Sequence, residues 1–181
     1  MNKKNKIIIA VIAVILLVIA LIIYFSSDKT VNKKIIKNFT DIGFVNHSNS
    51  FLYSKQLSNI NLEQHNNNVK NKIESTYEIL YFNSNTYELT KDKISYNNGI
   101  TKNFTPTYDY TNRKVIYNYR INFNNTNILV EGSFDNETKT FVCNSNFAYN
   151  IDMTESKQDI CNKLKIEIEN FSYEAKKYYK K

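Results

Sequence analysis

The longest apolar run of the chain lies close to its start, at residues 7–25. These nineteen residues contain no charge, Gly or Pro, and only the last two are not aliphatic. A helix of this length spans about 28 Å, close to the roughly 30 Å hydrocarbon core of a bilayer. A cleaved signal peptide has a shorter apolar core and a small residue before the cleavage point, where this chain has Tyr24 and Phe25. We therefore predict an uncleaved transmembrane helix.

The lysines on either side of this run bear on its orientation. Residues 1–6 contain three lysines close to the apolar run, whereas four more are spread over residues 29–37, with Asp28 and Asp41 on either side. A short basic head favours the cytoplasmic side. We predict a cytoplasmic head at residues 1–6, a membrane helix at residues 7–25 and a single extracytoplasmic α+β domain at residues 26–181, so that the protein resides in the cell membrane.

Two later segments repeat apolar residues at the spacing of a helix. Residues 28–44 do so, and Gly43 suits the end of that helix. Residues 154–177 predict a long C-terminal helix. The apolar stripe of this helix consists of Ile160, Leu164, Ile168, Phe171, Ala175 and Tyr178.

The alternating pattern of a half-buried strand is clearest at residues 115–123. Two further strands with short links, at residues 128–134 and 140–149, indicate an antiparallel meander. Weaker strand signals occur at residues 51–55, in the last part of 69–82, at 87–89 and at 94–96, and a turn is predicted at 97–99.

The remaining part of the chain has weaker patterns. Residues 46–68 are polar and irregular apart from that first strand, and the Asn cluster at 66–68 reads as a loop. Residues 105–107 contain the only Pro of the chain, so we expect a loop or an edge strand there.

A sheet with one apolar face and an amphipathic helix each need a partner. The simplest arrangement packs the helix on the sheet. We therefore predict an α+β fold: an N-terminal transmembrane helix followed by one small domain, in which an antiparallel β-meander packs against the long C-terminal helix.

The charge of the predicted domain is mildly positive. Three of the 24 basic residues lie in the head, which leaves 21 against 17 acids, or 21 − 17 = +4. Only Arg113 and Arg120 are Arg, the residue best suited to bidentate phosphate contacts. A nucleic-acid-binding domain has a denser basic surface, so we expect no nucleic-acid partner.

The two cysteines allow two interpretations. Cys143 falls on the predicted inner face of a strand and Cys161 in the second turn of the last helix. A disulfide between them closes a loop of 18 residues, worth about 3 kcal/mol in the chain-entropy model, and it suits an oxidising compartment. The alternative is two buried, reduced thiols.

The sequence shows no catalytic constellation. His47 and His65 are the only histidines, and neither has a Cys or carboxylate at ligand spacing. No glycine-rich nucleotide-binding motif is present. We therefore predict that the protein is not an enzyme and uses no metal or cofactor.

Two groups of residues are candidates for recognition. Tyr108 and Tyr110 can present rings to a partner or ligand, or can pack in the sheet. The basic tail residues can contact an anionic surface or complement the end of a helix dipole. They are Lys176, Lys177, Lys180 and Lys181. Six Asn-x-Ser/Thr sequons also occur, at Asn38, Asn46, Asn103, Asn124, Asn136 and Asn170.

These features favour a non-enzymatic extracytoplasmic binding or assembly module of an envelope, secretion, conjugation or division complex. Its expected partners are the lipid bilayer, through residues 7–25, and a protein at the membrane. The layout is broadly similar to bitopic assembly proteins with cystatin-like or NTF2-like domains, a likeness of element order and of no motif. The alternatives are a viral or parasite surface protein of the same topology and a ligand-binding sensor or inhibitor.

Overall fold

A computed structural model of the protein describes residues 16–17, 31–48, 50–123, 126–145 and 156–179. The chain divides into two compact units, Met1–Asn38 and Phe39–Lys181. The predicted head and membrane helix lie outside the described residues, apart from positions 16–17, which are helical. Over the part of the chain that the structure describes, no helix is both long and apolar enough to cross a bilayer.

Helix α1 comprises the described helical residues 31–41, of which 31–38 belong to the first unit and 39–41 to the second. Its end is the one that the sequence predicts. Gly43 adopts a φ of 93° and its N–H donates to the carbonyl of Thr40 at 3.0 Å. A residue with a Cβ is strained at this φ, whereas Gly adopts it readily.

The second unit is built on one antiparallel sheet whose eight described strands follow one another in chain order. The strands are β1 (Val45–Asn46), β2 (Leu52–Gln56), β3 (Ser75–Asn83), β4 (Glu88–Asn97), β5 (Ile100–Asp109), β6 (Lys114–Phe123), β7 (Thr126–Asp135) and β8 (Phe141–Ser145). This arrangement confirms the predicted α+β class and extends the meander. The predicted short strands at 87–89 and 94–96 fall in the single strand β4, except that Tyr87 lies in the turn before it, with a φ of 57°. The turn at 97–99 is confirmed, with Gly99 at a φ of 81°.

The prediction of a loop or edge at Pro106 was wrong. Pro106 is buried in the middle of β5, between β4 and β6. Strands β4 and β5 pair at Lys93–Phe104 and at Thr90–Thr107, but the two positions between these pairs, one of them opposite Pro106, are not paired. Pro has no N–H to donate, so the sheet tolerates it where the ladder is interrupted.

Helix α2 (Leu62–Lys70) lies between β2 and β3, in the segment that the sequence predicts to be irregular. The Asn61 side chain caps it by accepting from the Gln64 N–H at 2.8 Å. Its only buried side chain is His65. The sequence lacks an apolar stripe here because one polar residue, rather than several hydrophobic ones, faces the sheet.

Helix α3 (Lys157–Tyr179) packs across β5, β6, β7 and β8. Its buried residues include Ile160, Leu164, Ile168, Phe171 and Ala175, which confirms those five positions of the predicted stripe. The last predicted position, Tyr178, is half-buried and its ring packs on Phe39 and Phe44, whereas the neighbouring Tyr179 is buried. The buried apolar residues of the opposing sheet face include Leu80, Phe82, Leu89, Phe104, Pro106, Tyr108, Val115, Tyr117, Ile121, Ile128, Val130 and Phe134.

Gly132 leaves space for the side chain of Tyr117 to extend over β7 and reach β8. The two residues pair across β6 and β7, and the Tyr117 hydroxyl donates to the carbonyl of Val142 on β8 at 2.9 Å. A Cβ on Gly132 would overlap that carbonyl and lie 2.6 Å from the Tyr117 hydroxyl oxygen. This close approach requires glycine at position 132.

We expect Gly132→Ala to lower the free energy of unfolding by about 2 kcal/mol, since overpacking displaces Tyr117 or β8. Chemical denaturation of the full chain in detergent micelles measures this change. Ser133→Ala is the matched control, because residue 133 points to the opposite face. An equal effect of the two substitutions would contradict the assigned close approach.

Candidate functional site

Three adjoining cavities lie along the end of the sheet where β3 begins, β4 ends and β5 begins. We call them together the end groove. The first cavity, of about 170 Å³, lies between α3 and the sheet. It is lined by Lys93, Ser95, Lys102, Phe104, Tyr119, Ile160, Lys163, Leu164 and Glu167.

The other two cavities continue the groove away from α3. The second, of about 560 Å³, shares Ser95 and Lys102 with the first cavity and also includes Tyr96, Asn97, Asn98 and Ile100. The third, of about 400 Å³, shares residues 74–76 with the second and reaches Leu57, Ser58, Asn59, Ile60, Asn68 and Glu78. Beyond the first cavity the groove is therefore lined mostly by hydroxyl and amide groups, together with the carboxylates of Glu74 and Glu78.

Strand and helix periodicity bring the lining of the first cavity together. Alternate residues of β4 and β5, and Tyr119 on β6, point to the face that α3 covers. On α3, positions 160, 163, 164 and 167 follow the spacing of one helix face. The cavity forms because the first turns of the helix pass over polar strand ends.

The first cavity joins a cationic rim to an apolar interior. Three lysines (Lys93, Lys102 and Lys163) face one carboxylate, that of Glu167. Phe104 and Tyr119 pack edge to face, with ring centroids 6.2 Å apart. This lining suits an anionic group next to an apolar one.

A disulfide fixes the part of α3 that covers the cavity. Cys143 on β8 and Cys161 on α3 are bonded, with Cα atoms 6.1 Å apart, which confirms the predicted bridge. Cys161 lies between Ile160 and Leu164, which line the cavity. The bridge therefore holds the cavity-forming turns of the helix against the sheet.

The predicted tyrosine surface does not form part of the end groove. Tyr108 is only 2% exposed and packs inside the domain. Tyr110 is 40% exposed, and its ring stacks on Tyr179 with centroids 4.4 Å apart. The Tyr179 hydroxyl donates to the carbonyl of Tyr87 at 2.9 Å. These aromatic rings hold the end of α3.

The basic tail also makes internal contacts where it is described. Lys176 donates to Asn136 at 2.8 Å, and Lys177 lies 4.2 Å from the centre of the Tyr173 ring. Lys180 and Lys181 lie outside the described residues. Asn136, which begins a sequon, is buried and also accepts from the Ser172 hydroxyl, so in the folded domain its side chain is occupied by protein contacts.

Each histidine contacts a serine, a pairing that sequence spacing does not show. His47 Nε2 lies 2.5 Å from the Ser54 hydroxyl oxygen, where β1 turns into β2. Ser54 is mostly buried. Among the described residues, no carboxylate is hydrogen-bonded to the other ring nitrogen of His47. This pair joins neighbouring strands rather than forming a triad.

His65 is 1% exposed and attaches α2 to β3. Its Nδ1 lies 2.9 Å from the Ser75 hydroxyl oxygen, whereas its Nε2 is buried without a hydrogen-bond partner. Burial lowers the pKa of His65 below its usual 6.5. The neutral imidazole is therefore the form that the folded state favours.

Within the described ranges, no group of three or more His, Cys, Asp or Glu side chains is placed to hold a metal ion. The polar side chains that line the first cavity are three lysines, a serine, a tyrosine and a single carboxylate, Glu167. Ammonium groups bind anions and do not ligate cations.

Comparison of the chain with protein-family models, curated proteins and solved structures found no match.

Sequence reasoning missed the lysines of the first cavity. From the sequence, Lys93 and Lys102 are interpreted as solvent-facing positions of a strand. The alternating pattern does not show which ends of the strands a helix will cover. Lys163 has a usable signal, because it lies beside the apolar stripe of α3 at Ile160 and Leu164.

Replacing both cysteines, as Cys143→Ser with Cys161→Ser, should lower the free energy of unfolding by about 3 kcal/mol, given the 18-residue separation. Urea unfolding of the full chain with and without reductant measures the loss. The wild type under reductant should match the double variant. An unchanged midpoint in both would contradict a stabilising bridge.

Acidification should weaken the attachment of α2. Because the folded state has the lower His65 pKa, the unfolded state binds more protons, and the free energy of unfolding falls as pH falls below about 6.5. Urea unfolding between about pH 7.5 and about pH 5.5 tests this. His65→Gln should flatten the pH dependence, whereas the exposed control His47→Gln should keep it. Equal slopes in the wild type and His65→Gln would refute the assignment.

Proposed function

We propose that the protein is a non-enzymatic, single-pass, membrane-anchored binding or assembly module whose binding site is the end groove. The domain holds a partner at the outer face of the membrane, as part of an envelope, secretion, conjugation or division complex. The observation that carries this proposal is the end groove itself, an open cleft with a cationic and apolar cavity at one end.

The proposed location draws on two features. The apolar run at residues 7–25 has the length and composition of a membrane anchor. The disulfide between Cys143 and Cys161 is of the kind that persists in oxidising compartments outside the cytoplasm. Both support a domain that faces outward.

A binding role also fits the chemistry of the groove. The first cavity offers charge and apolar surface but no histidine or cysteine thiol to act as base or nucleophile. A second candidate function, a small-ligand sensor, is favoured by the limited volume of this cavity. Both candidates use the same site and differ in the size of the occupant.

The test is photo-cross-linking in the native membrane. A photoreactive amino acid replaces Lys102, which lines two cavities of the groove, or Lys165, an exposed control on α3. Because an occupant of the groove must pass close to position 102, we expect a discrete adduct there and none at position 165. Mass spectrometry of the adduct distinguishes a protein partner from a small ligand.

The absence of adducts at position 102, or an identical set at both positions, would contradict binding in the groove. Unfolding midpoints close to that of the wild type confirm that both variants fold.

A further inference from the structure

We infer that the occupant of the end groove is an extended peptide segment of a protein partner, with one aromatic or branched aliphatic side chain that enters the first cavity and acidic residues directly beside that side chain. This inference rests on the proposed function and names the chemistry of the partner.

The size of the first cavity sets the size of the anchor. It measures about 170 Å³, and an apolar protein cavity of about 150 Å³ holds a benzene molecule. The apolar lining of Phe104, Ile160 and Leu164 favours a ring or a branched aliphatic group of this size. One side chain therefore fills the cavity.

The charges at the rim set the sign of the residues beside the anchor. Three lysines (Lys93, Lys102 and Lys163) line the first cavity with one carboxylate, that of Glu167. Asp159 also interacts with Lys163, and Glu74 lines the second and third cavities, so the positive excess is confined to the first cavity. The neighbouring Lys91 is already paired with Glu78. Carboxylates beside the anchor therefore meet ammonium groups, of which those of Lys93 and Lys102 belong to half-buried residues and that of Lys163 to an exposed one. Charge complementarity favours acidic residues over basic ones at this point.

The rest of the groove suits a peptide backbone. Its lining includes the hydroxyl and amide side chains of Thr76, Ser95, Asn97 and Asn98, which can bond peptide N–H and C=O groups. The groove crosses from β5 to β2, a span of roughly 14 Å at the usual strand spacing, which an extended peptide covers with about four residues.

An anionic lipid is the main rival, because its headgroup also meets the lysines. Its acyl chain, however, needs a continuous apolar channel. The first cavity holds one side chain, and the groove beyond it is mostly polar. The lining therefore favours a peptide.

The experiment measures fluorescence anisotropy with the full chain in zwitterionic nanodiscs. The probe is a fluorescein-labelled peptide, Glu-Glu-Phe-Glu-Glu, and the matched peptides are Glu-Glu-Ala-Glu-Glu and Lys-Lys-Phe-Lys-Lys. A short-chain fluorescent phosphatidylglycerol forms the lipid arm. The protein variants are Lys93→Glu with Lys163→Glu, and the control Lys165→Glu.

We expect the acidic Phe peptide to bind the wild-type protein. The peptide with Ala in place of Phe should bind about tenfold more weakly, and the double variant should bind the Phe peptide about tenfold more weakly than the wild type does. Lys165→Glu should change little, and added salt should weaken binding. Binding of the short-chain lipid alone would overturn the peptide assignment while leaving the groove as a binding site. Binding that the double variant does not change, or no binding in either arm, would also overturn it. The cross-linking result decides separately whether the groove binds anything.

Discussion

The structure depends on one packing interaction, the burial of helix α3 against the apolar face of the meander. Ile168 and Ala175 are fully buried in that contact, and each large apolar side chain contributes about 1.5–3 kcal/mol. The helix is held at both ends by different means, a disulfide at Cys161 and an aromatic cluster at Tyr179. The middle of α3 thus contributes buried apolar surface, and the contacts at its two ends fix its position on the sheet.

The same packing explains where a binding site is available. Helix α3 covers β5 to β8 and leaves the ends of β3 and β4 open, so a groove forms at the boundary of the covered region. The first turns of α3 form one wall of this groove, and the disulfide fixes those turns. The covalent bond therefore contributes to the shape of the proposed site as well as to stability.

The sequence predicted the parts of the fold that have a strong local signal. The alternation at 115–123, the stripe from Ile160 to Ala175 and the glycine at position 43 each led to a confirmed element. The cysteine pairing could also be predicted, because the predicted helix and strand had to pack together.

The missed features depend on tertiary contacts. Helix α2 buries only His65, so no hydrophobic period reveals it. Pro106 sits inside the sheet because the ladder with β4 is interrupted beside it. The lysines of the first cavity come from separate strands and a helix, and only the assembled layers bring them together.

The most direct test of the whole account is thiol labelling of Cys143 and Cys161 in intact cells, with a membrane-impermeant maleimide before and after reduction. We predict labelling only after reduction, which requires both an outward-facing domain and the disulfide that fixes α3. Labelling without reduction, or labelling only by a membrane-permeant reagent, would contradict it.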